Sequence, residues 1–299
     1  MSRHVLTLSA DRTLLDGQPF LARGLRCSNA LLSDATTEDL LAHLDEYVSY
    51  GVNCISVYWQ GSRFGDVRGY LEDASLSPAH AARMARLLEA ADARGIVVLV
   101  GCLYWGNSRA KWPHWTQREA EAAVANTVRW LRDRGDRHVF VDVDNEGMAQ
   151  REAGFDNRRM LLAGKREWPE CVMATNHRGA PPPEADLAIH HNEPVPGKPY
   201  IESEGSPHNV AGGYWGPYSK AEGLYCYLHV GEYTEEMKKD QMALSAAHWA
   251  RGEGYLLAST WLQAPPPQGP HADLGGYGGP GDPGVRWWME FLRERWAAR

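Results

Sequence analysis

An α/β fold closed into a single (β/α)8 TIM barrel, one domain over residues 1–299, is the architecture the sequence predicts, and three features carry it. Eight short apolar runs alternate with stretches of helical periodicity, the pattern of a parallel sheet with crossover helices. The 299 residues suit one barrel of about 250 residues with added loops. No shift of composition divides the chain. A doubly wound open sheet is the alternative, but it normally carries a glycine-rich phosphate turn after its first strand, and Arg23-Gly-Leu-Arg-Cys27 has none.

The elements follow in order. An N-terminal β-hairpin is expected from the apolar runs 5–8 and 13–20, with Asp16-Gly17 as a turn signal. Eight strands are then expected at 20–29, 53–59, 96–105, 138–146, 171–176, 186–191, 200–204 and 255–263. Helices are expected near 38–49, with Thr36-x-x-Asp39 as a capping box, and near 79–93, which Pro78 starts. The stretch 119–134 is amphipathic, with Ala120, Val124, Val128 and Leu131 at spacings of three and four. Further helices are expected at 157–167, 234–251 and 285–297. The connections between strands five, six and seven are Pro-rich, Ala180-Pro-Pro-Pro183 and Pro194-Val-Pro-Gly197, and leave little room for helices. Long loops follow strands seven and eight, at 206–231 and 264–284. Both leave a strand's C-terminal end, where a barrel builds its active site.

Composition narrows the partners. The chain has 12 Trp and 13 Tyr against 5 Phe, an excess of flat rings with polar edges that suits sugar ligands. A net charge of −7 without a basic run argues against nucleic acid. No apolar run reaches the roughly 18 residues of a membrane span, and the first residues lack a secretory pattern, so a cytoplasmic protein is expected as given, or a secreted one if a leader has been removed. The 5 cysteines form no C-x-x-C pair, and four of them lie in apolar runs, which suits reduced core thiols. Oligomeric state is left open.

The fourth strand, His138-Val-Phe-Val-Asp-Val-Asp-Asn-Glu-Gly147, alternates. Its valines face the helices, and Asp142, Asp144 and Glu146 face the barrel, with Glu146 at the mouth. On the seventh strand Glu202 and Glu204 share a face, with Glu204 at the rim. Two glutamates facing each other about 5–5.5 Å apart are what retaining glycoside hydrolysis needs, one as acid/base and one as nucleophile. The acid must stay protonated while the nucleophile ionises. Asp144 is expected to raise Glu146, and His190, His191 or Arg26 to supply donors to Glu204. Asp142 and Glu202 read as structural, one of them satisfied by Arg23 or Arg26.

Asn145-Glu146 ending the fourth strand, Lys198-Pro-Tyr-Ile-Glu-Ser-Glu204 ending the seventh, and Ala258-Ser-Thr-Trp-Leu262 on the eighth resemble the clan of retaining (β/α)8 glycoside hydrolases that includes cellulases, β-mannanases and β-galactosidases. The opening Leu15-Asp-Gly-Gln-Pro-Phe-Leu-Ala-Arg-Gly24 is similar to the hairpin those enzymes carry. The resemblance implies Glu146 as acid/base, Glu204 as nucleophile, Asn145 on the sugar 2-hydroxyl, and Trp261 as the floor beneath the sugar. Three positions differ from the clan. An Arg on strand two, a His after strand three and a Tyr on strand six are replaced by Asn53-Cys-Ile-Ser-Val-Tyr-Trp-Gln60, Cys102-Leu-Tyr-Trp-Gly-Asn107 and His190-His191-Asn192. Arg26 or Arg63 is the candidate for the missing positive charge.

Of Trp59, Trp105, Trp112, Trp115 and Trp215, two or three are expected to stack on sugars, while Trp130, Trp249 and Trp288 belong to the core. His208, Asn209 and Tyr214 are further candidate contacts to an oligo- or polysaccharide. No cofactor and no metal are expected, since the histidines lack H-x-H or H-E-x-x-H spacing. Two other functions stay open. One is a metal-dependent isomerase or aldolase using His190 or His191 with Glu146 and Glu204, and the other is a carbohydrate-binding barrel without catalysis.

Overall fold

The structure, a computed structural model, describes residues 2–61, 67–106, 110–206, 230–263 and 269–296. Three short strands come first, β1 (Leu6–Ser9), β2 (Arg12–Leu15) and β3 (Gln18–Pro19), in one antiparallel sheet. The Asp16-Gly17 turn joins β2 to β3, with both residues in the left-handed region, at φ 54° and 76°. Then follow β4 (Arg23–Arg26), α1 (Asp34–Ser49), β5 (Cys54–Tyr58), α2 (Pro78–Asp92), β6 (Val97–Leu103), α3 (Gln117–Arg134) and β7 (Val139–Asp144). After one 3-10 turn, Asn145–Gly147, come α4 (Met148–Ala153), α5 (Asn157–Glu167), β8 (Val172–Thr175), β9 (Leu187–Ile189) and β10 (Tyr200–Gly205). The chain continues with α6 (Glu235–Ala250), β11 (Gly254–Leu257), α7 (Thr260–Gln263), β12 (Gly275–Gly279), β13 (Asp282–Gly284) and α8 (Arg286–Trp296).

Strands β4 to β11 are the eight expected ones. They are parallel, pair in chain order and close when β11 pairs with β4. No helix lies between β8 and β9 or between β9 and β10, as the prolines require. Helix α1 begins earlier than predicted: Ser33 is its N-cap and accepts from the Thr36 N–H, so the capping box is Ser33 with Thr36 rather than Thr36 with Asp39. The loop 264–284 is only partly a loop, because β12 and β13 form a hairpin that lies against α8, where Arg286 donates to the Gly275 carbonyl.

Alternation sorts the side chains into two cores. Val139, Val141 and Val143 pack outward with Leu87, Leu88, Val124 and Val128 of α2 and α3. Phe140 turns inward with Cys54, Leu99, Val172, Leu187, Ile201 and Leu256, and Leu6 and Phe20 of the N-terminal sheet join this inner core. Each such burial contributes about 1.5–3 kcal/mol. Cys27, Cys54, Cys102 and Cys171 are buried free thiols, and Cys226 lies outside the described residues. Among the described residues no helix is long and apolar enough to cross a membrane.

Candidate active site

Arg26, the last residue of β4, is the hub of the barrel's C-terminal mouth. It is fully buried, so all its donors must find acceptors within the protein. Nε donates to Gln263 Oε1 (3.1 Å), Nη1 to the Tyr58 hydroxyl (2.9 Å) and to the Ser203 carbonyl (3.5 Å), and Nη2 to Asn145 Oδ1 (3.0 Å). Nη2 also lies 3.1 Å from Glu204 Oε2. One guanidinium thereby ties together β5, β10 and the turns that follow β7 and β11. It supplies the positive charge that strand two lacks, and Arg63 lies outside the described residues. Burial works against its charge, but Glu204, Tyr58, Tyr104 and Glu146 together outweigh burial and raise its pKa.

Asn145 and Glu146 sit in the turn after β7. The Asp144 carboxylate fixes this turn by accepting from the Ala149 and Gln150 N–H groups, at 2.9 and 3.1 Å, at the start of α4. Asp144 thus caps the start of α4, and burial lifts its pKa to about 7. Glu146 has φ 52° and Gly147 φ 62°. A glutamate in the left-handed region costs about 1–3 kcal/mol, strain of the kind found at functional sites. Asn145 Oδ1 accepts from both Arg26 and Tyr58, while its buried Nδ2 has no hydrogen-bond partner among the described residues.

Glu204 and Glu202 do not share a face as the alternation implied. Between Glu202↔Tyr255 and Gly205↔Leu257 the pairing of β10 with β11 slips, leaving Ser203 and Glu204 opposite Leu256 alone. This bulge sends Glu204 to Arg26, while the Glu202 carboxylate accepts from the Glu204 N–H (2.9 Å) and lies 2.6 Å from His190 Nδ1. Neither Arg23 nor Arg26 satisfies Glu202 or Asp142. Arg23 donates to the Gly51 carbonyl, and Asp142 accepts from Asn176 Nδ2.

The charges follow from these contacts. Burial alone would raise Glu202, but His190 and the Glu204 N–H hold it at about 2. Burial likewise disfavours the His190 cation, yet Glu202 lifts its pKa to about 9. For Glu204, burial and the Glu146 charge push up, Arg26 and His190 pull down, and the result is about 7. His191 is lowered by burial and by His190. Its Nε2 lies 3.9 Å from Glu146 Oε2, and its ring meets His190 edge-on at 4.2 Å. Glu146, His190 and His191 offer ligand atoms within 4.8 Å of one another, a set that would accommodate a divalent ion.

The mouth therefore gathers Glu146, Glu204, Asn145, Arg26, His190 and His191. Trp59, Trp105 and Trp115 belong to the outer hydrophobic core, and Trp112 and Trp261 pack against it. Trp59 is fully buried between Tyr70, His80 and Trp130 in the helix layer, and Trp105 packs on Trp115 and Phe155. Trp115 is likewise buried and donates to the Glu72 carbonyl, while the half-buried Trp112 donates to that of Tyr70. Trp261, the second residue of α7, stacks on His271 at 3.9 Å and donates to the Asp273 carbonyl. Successive helical residues turn by about 100°, so with Trp261 turned to His271, Gln263 two residues on turns toward Arg26. His208, Asn209, Tyr214 and Trp215 lie outside the described residues.

Sequence reasoning missed Tyr58, Gln263 and Ser28. Ser28 donates to Gln263 Oε1 at 2.8 Å. The available signal was parity, since Cys54, Ser56 and Tyr58 alternate with the outward Ile55, Val57 and Trp59.

In sequence, no family model and no curated protein matches the chain. In structure it is similar to a glycoside hydrolase family 5 protein from Bacteroides vulgatus ATCC 8482, with 13% identity and TM-score 0.63 over 96% of this chain and 68% of that one. It is similar to a glycoside hydrolase family 5 mannosidase from Rhizomucor miehei, solved with mannosyl-fructose, with 10% identity and TM-score 0.57 over 96% of each chain. A β-1,4-D-mannanase from Cryptopygus antarcticus matches with 10% identity and TM-score 0.55 over 97% of this chain and 94% of that one. At such identities the likeness is one of fold, the (β/α)8 barrel.

Proposed function

We propose that the chain hydrolyses a glycosidic bond with retention, through a glycosyl-enzyme intermediate on Glu204. The observation that carries this reading is the pairing at one barrel mouth of Glu204, held against Arg26, with Glu146 in a strained turn beside Asn145. Glu146 protonates the departing oxygen while a Glu204 carboxylate oxygen bonds to the anomeric carbon. Glu146 then takes a proton from water, whose oxygen displaces Glu204 with a second inversion. Asn145 Nδ2 is a donor for the 2-hydroxyl of the sugar. The resemblance implies a β-linkage. Because solved structures of similar fold include a mannosidase and a mannanase, aryl β-mannosides head the substrate screen, followed by β-glucosides, β-galactosides and polysaccharides.

The test is chemical. Glu204→Gln should lower turnover of the best substrate by at least about 10⁴-fold, and a slow 2-fluoro-glycoside should label Glu204 in mass spectrometry. Labelling of another residue, or an inverted first product by NMR, would exclude the mechanism. The Glu146, His190 and His191 set supports a second reading, a divalent-ion enzyme. Stoichiometric metal in the purified protein, with activity lost to chelator, would select it.

A further inference from the structure

Tyr58 ends β5 with its ring inside the barrel mouth. The ring lies where a side chain at position 101 of β6 would otherwise stand: a Cβ on Gly101 would fall 2.1 Å from two of its carbons. The Arg26 guanidinium sits over the ring, 4.9 Å from its centre, and Tyr104 meets it edge-on. These contacts fix the hydroxyl between two polar groups, from one of which it accepts and to the other of which it donates. It accepts from Arg26 Nη1 at 2.9 Å and donates its one proton to Asn145 Oδ1 at 3.0 Å. Burial pushes its pKa up, so the proton stays in place.

This arrangement decides which way the Asn145 amide points. Oδ1 takes two donors, Arg26 Nη2 and the Tyr58 hydroxyl, and a flipped amide would set Nδ2 against both. Arg26 has no acceptor to offer, so a flipped amide would face it donor to donor, and the Tyr58 hydroxyl would lose the acceptor for its proton. We propose that Tyr58 is a positioning residue that, with Arg26, locks Asn145 as a donor toward the substrate and thereby makes the site selective for a sugar bearing a hydroxyl at C2. The proposal rests on the glycosidase reading for the identity of the ligand, but the lock itself is a property of the free protein.

Tyr58→Phe keeps the ring in the hollow over Gly101 and removes only the hydroxyl, so the full chain is expected to fold with an unchanged circular dichroism spectrum. Two measurements test the proposal. The first follows the Asn145 side-chain amide in a ¹⁵N-labelled protein, assigned by its loss in Asn145→Asp. The wild type should show a single pair of signals, and Tyr58→Phe should shift or double it; identical spectra would overturn the lock. The second compares kcat/KM on an aryl glycoside and on its 2-deoxy counterpart. Tyr58→Phe should lose about tenfold on the first, the scale of one buried hydrogen bond, and less than about twofold on the second. Equal losses on both substrates would overturn the positioning role while leaving hydrolysis intact. An amide that responds to Tyr58→Phe in a wild type that cleaves no glycoside would keep the lock and discard the glycosidase reading.

Discussion

Glu204 has to be ionised to attack a sugar, yet burial above all holds its pKa near 7, against an ordinary 4.5. Arg26 and His190 oppose that rise without cancelling it. The acid limb of kcat/KM should therefore lie near pH 7, with activity falling about tenfold for each pH unit below it, because only the ionised fraction reacts. His190 is a cation at that pH, its pKa lifted to about 9 by Glu202. Its replacement in His190→Gln removes a charge that favours ionised Glu204, so the limb should move to higher pH. A pH profile from 4.5 to 9 on wild type and variant reads both effects. A wild-type limb near 4.5, or a limb that stays put in His190→Gln, would contradict this account of the site's charges.

Elements explain what was and was not visible in the sequence. All eight strands were legible because each is an apolar run, bounded by helical periodicity or, around β9, by Pro-rich turns, and burial on both faces of a barrel strand demands such runs. The position of Glu146 and Glu204 at strand ends was legible for the same reason. The bulge in β10 was not, because one extra residue changes the pairing without changing composition, and alternation then assigns Glu202 and Glu204 to the same face. Trp59 was misread although the signal existed: it shares parity with Ile55 and Val57, and that face packs on helices. Trp261 could not be placed from sequence, since whether a residue follows a strand as extended chain or as the first turn of a helix decides its direction. The fit of β5 against β6 yields a prediction of its own. Gly101→Ala would drive a methyl into the Tyr58 ring, which Arg26 over its face and Tyr104 at its edge hold in place. Overpacking of this kind costs about 1–3 kcal/mol. Thermal unfolding should show the loss, and activity should fall with it because Tyr58 is displaced. An unchanged Tm and kcat/KM would mean that β5 and β6 yield more easily than their close pairing implies.

At the scale of the whole molecule the two ends of the barrel do different work. The N-terminal sheet is joined to the N-terminal end, where Leu6 donates to the Arg137 carbonyl just before β7, and Leu6 and Phe20 enter the inner core. Phe20→Ala should therefore cost about 3–5 kcal/mol and leave kcat/KM of the folded protein unchanged. The opposite end holds charges that the fold tolerates rather than gains from. Glu204 illustrates this, and the sign can be worked out. Its folded pKa of about 7 lies above the ordinary 4.5, so the folded state binds the proton more tightly than the unfolded chain. At pH 4.5 and below the carboxyl is neutral in the fold and costs little, and as pH rises through 7 the buried charge forms and stability is lost. Glu204→Gln has no such charge to form. At pH 8 its Tm should exceed that of the wild type by about 2–4 °C, the response to about 1 kcal/mol in a large domain, and near pH 4.5 the two should coincide. Thermal melts of both proteins across this range would decide the matter. A variant less stable than wild type at pH 8 would mean that the ion pair with Arg26 outweighs the burial of Glu204, and that this site strengthens the fold instead of straining it.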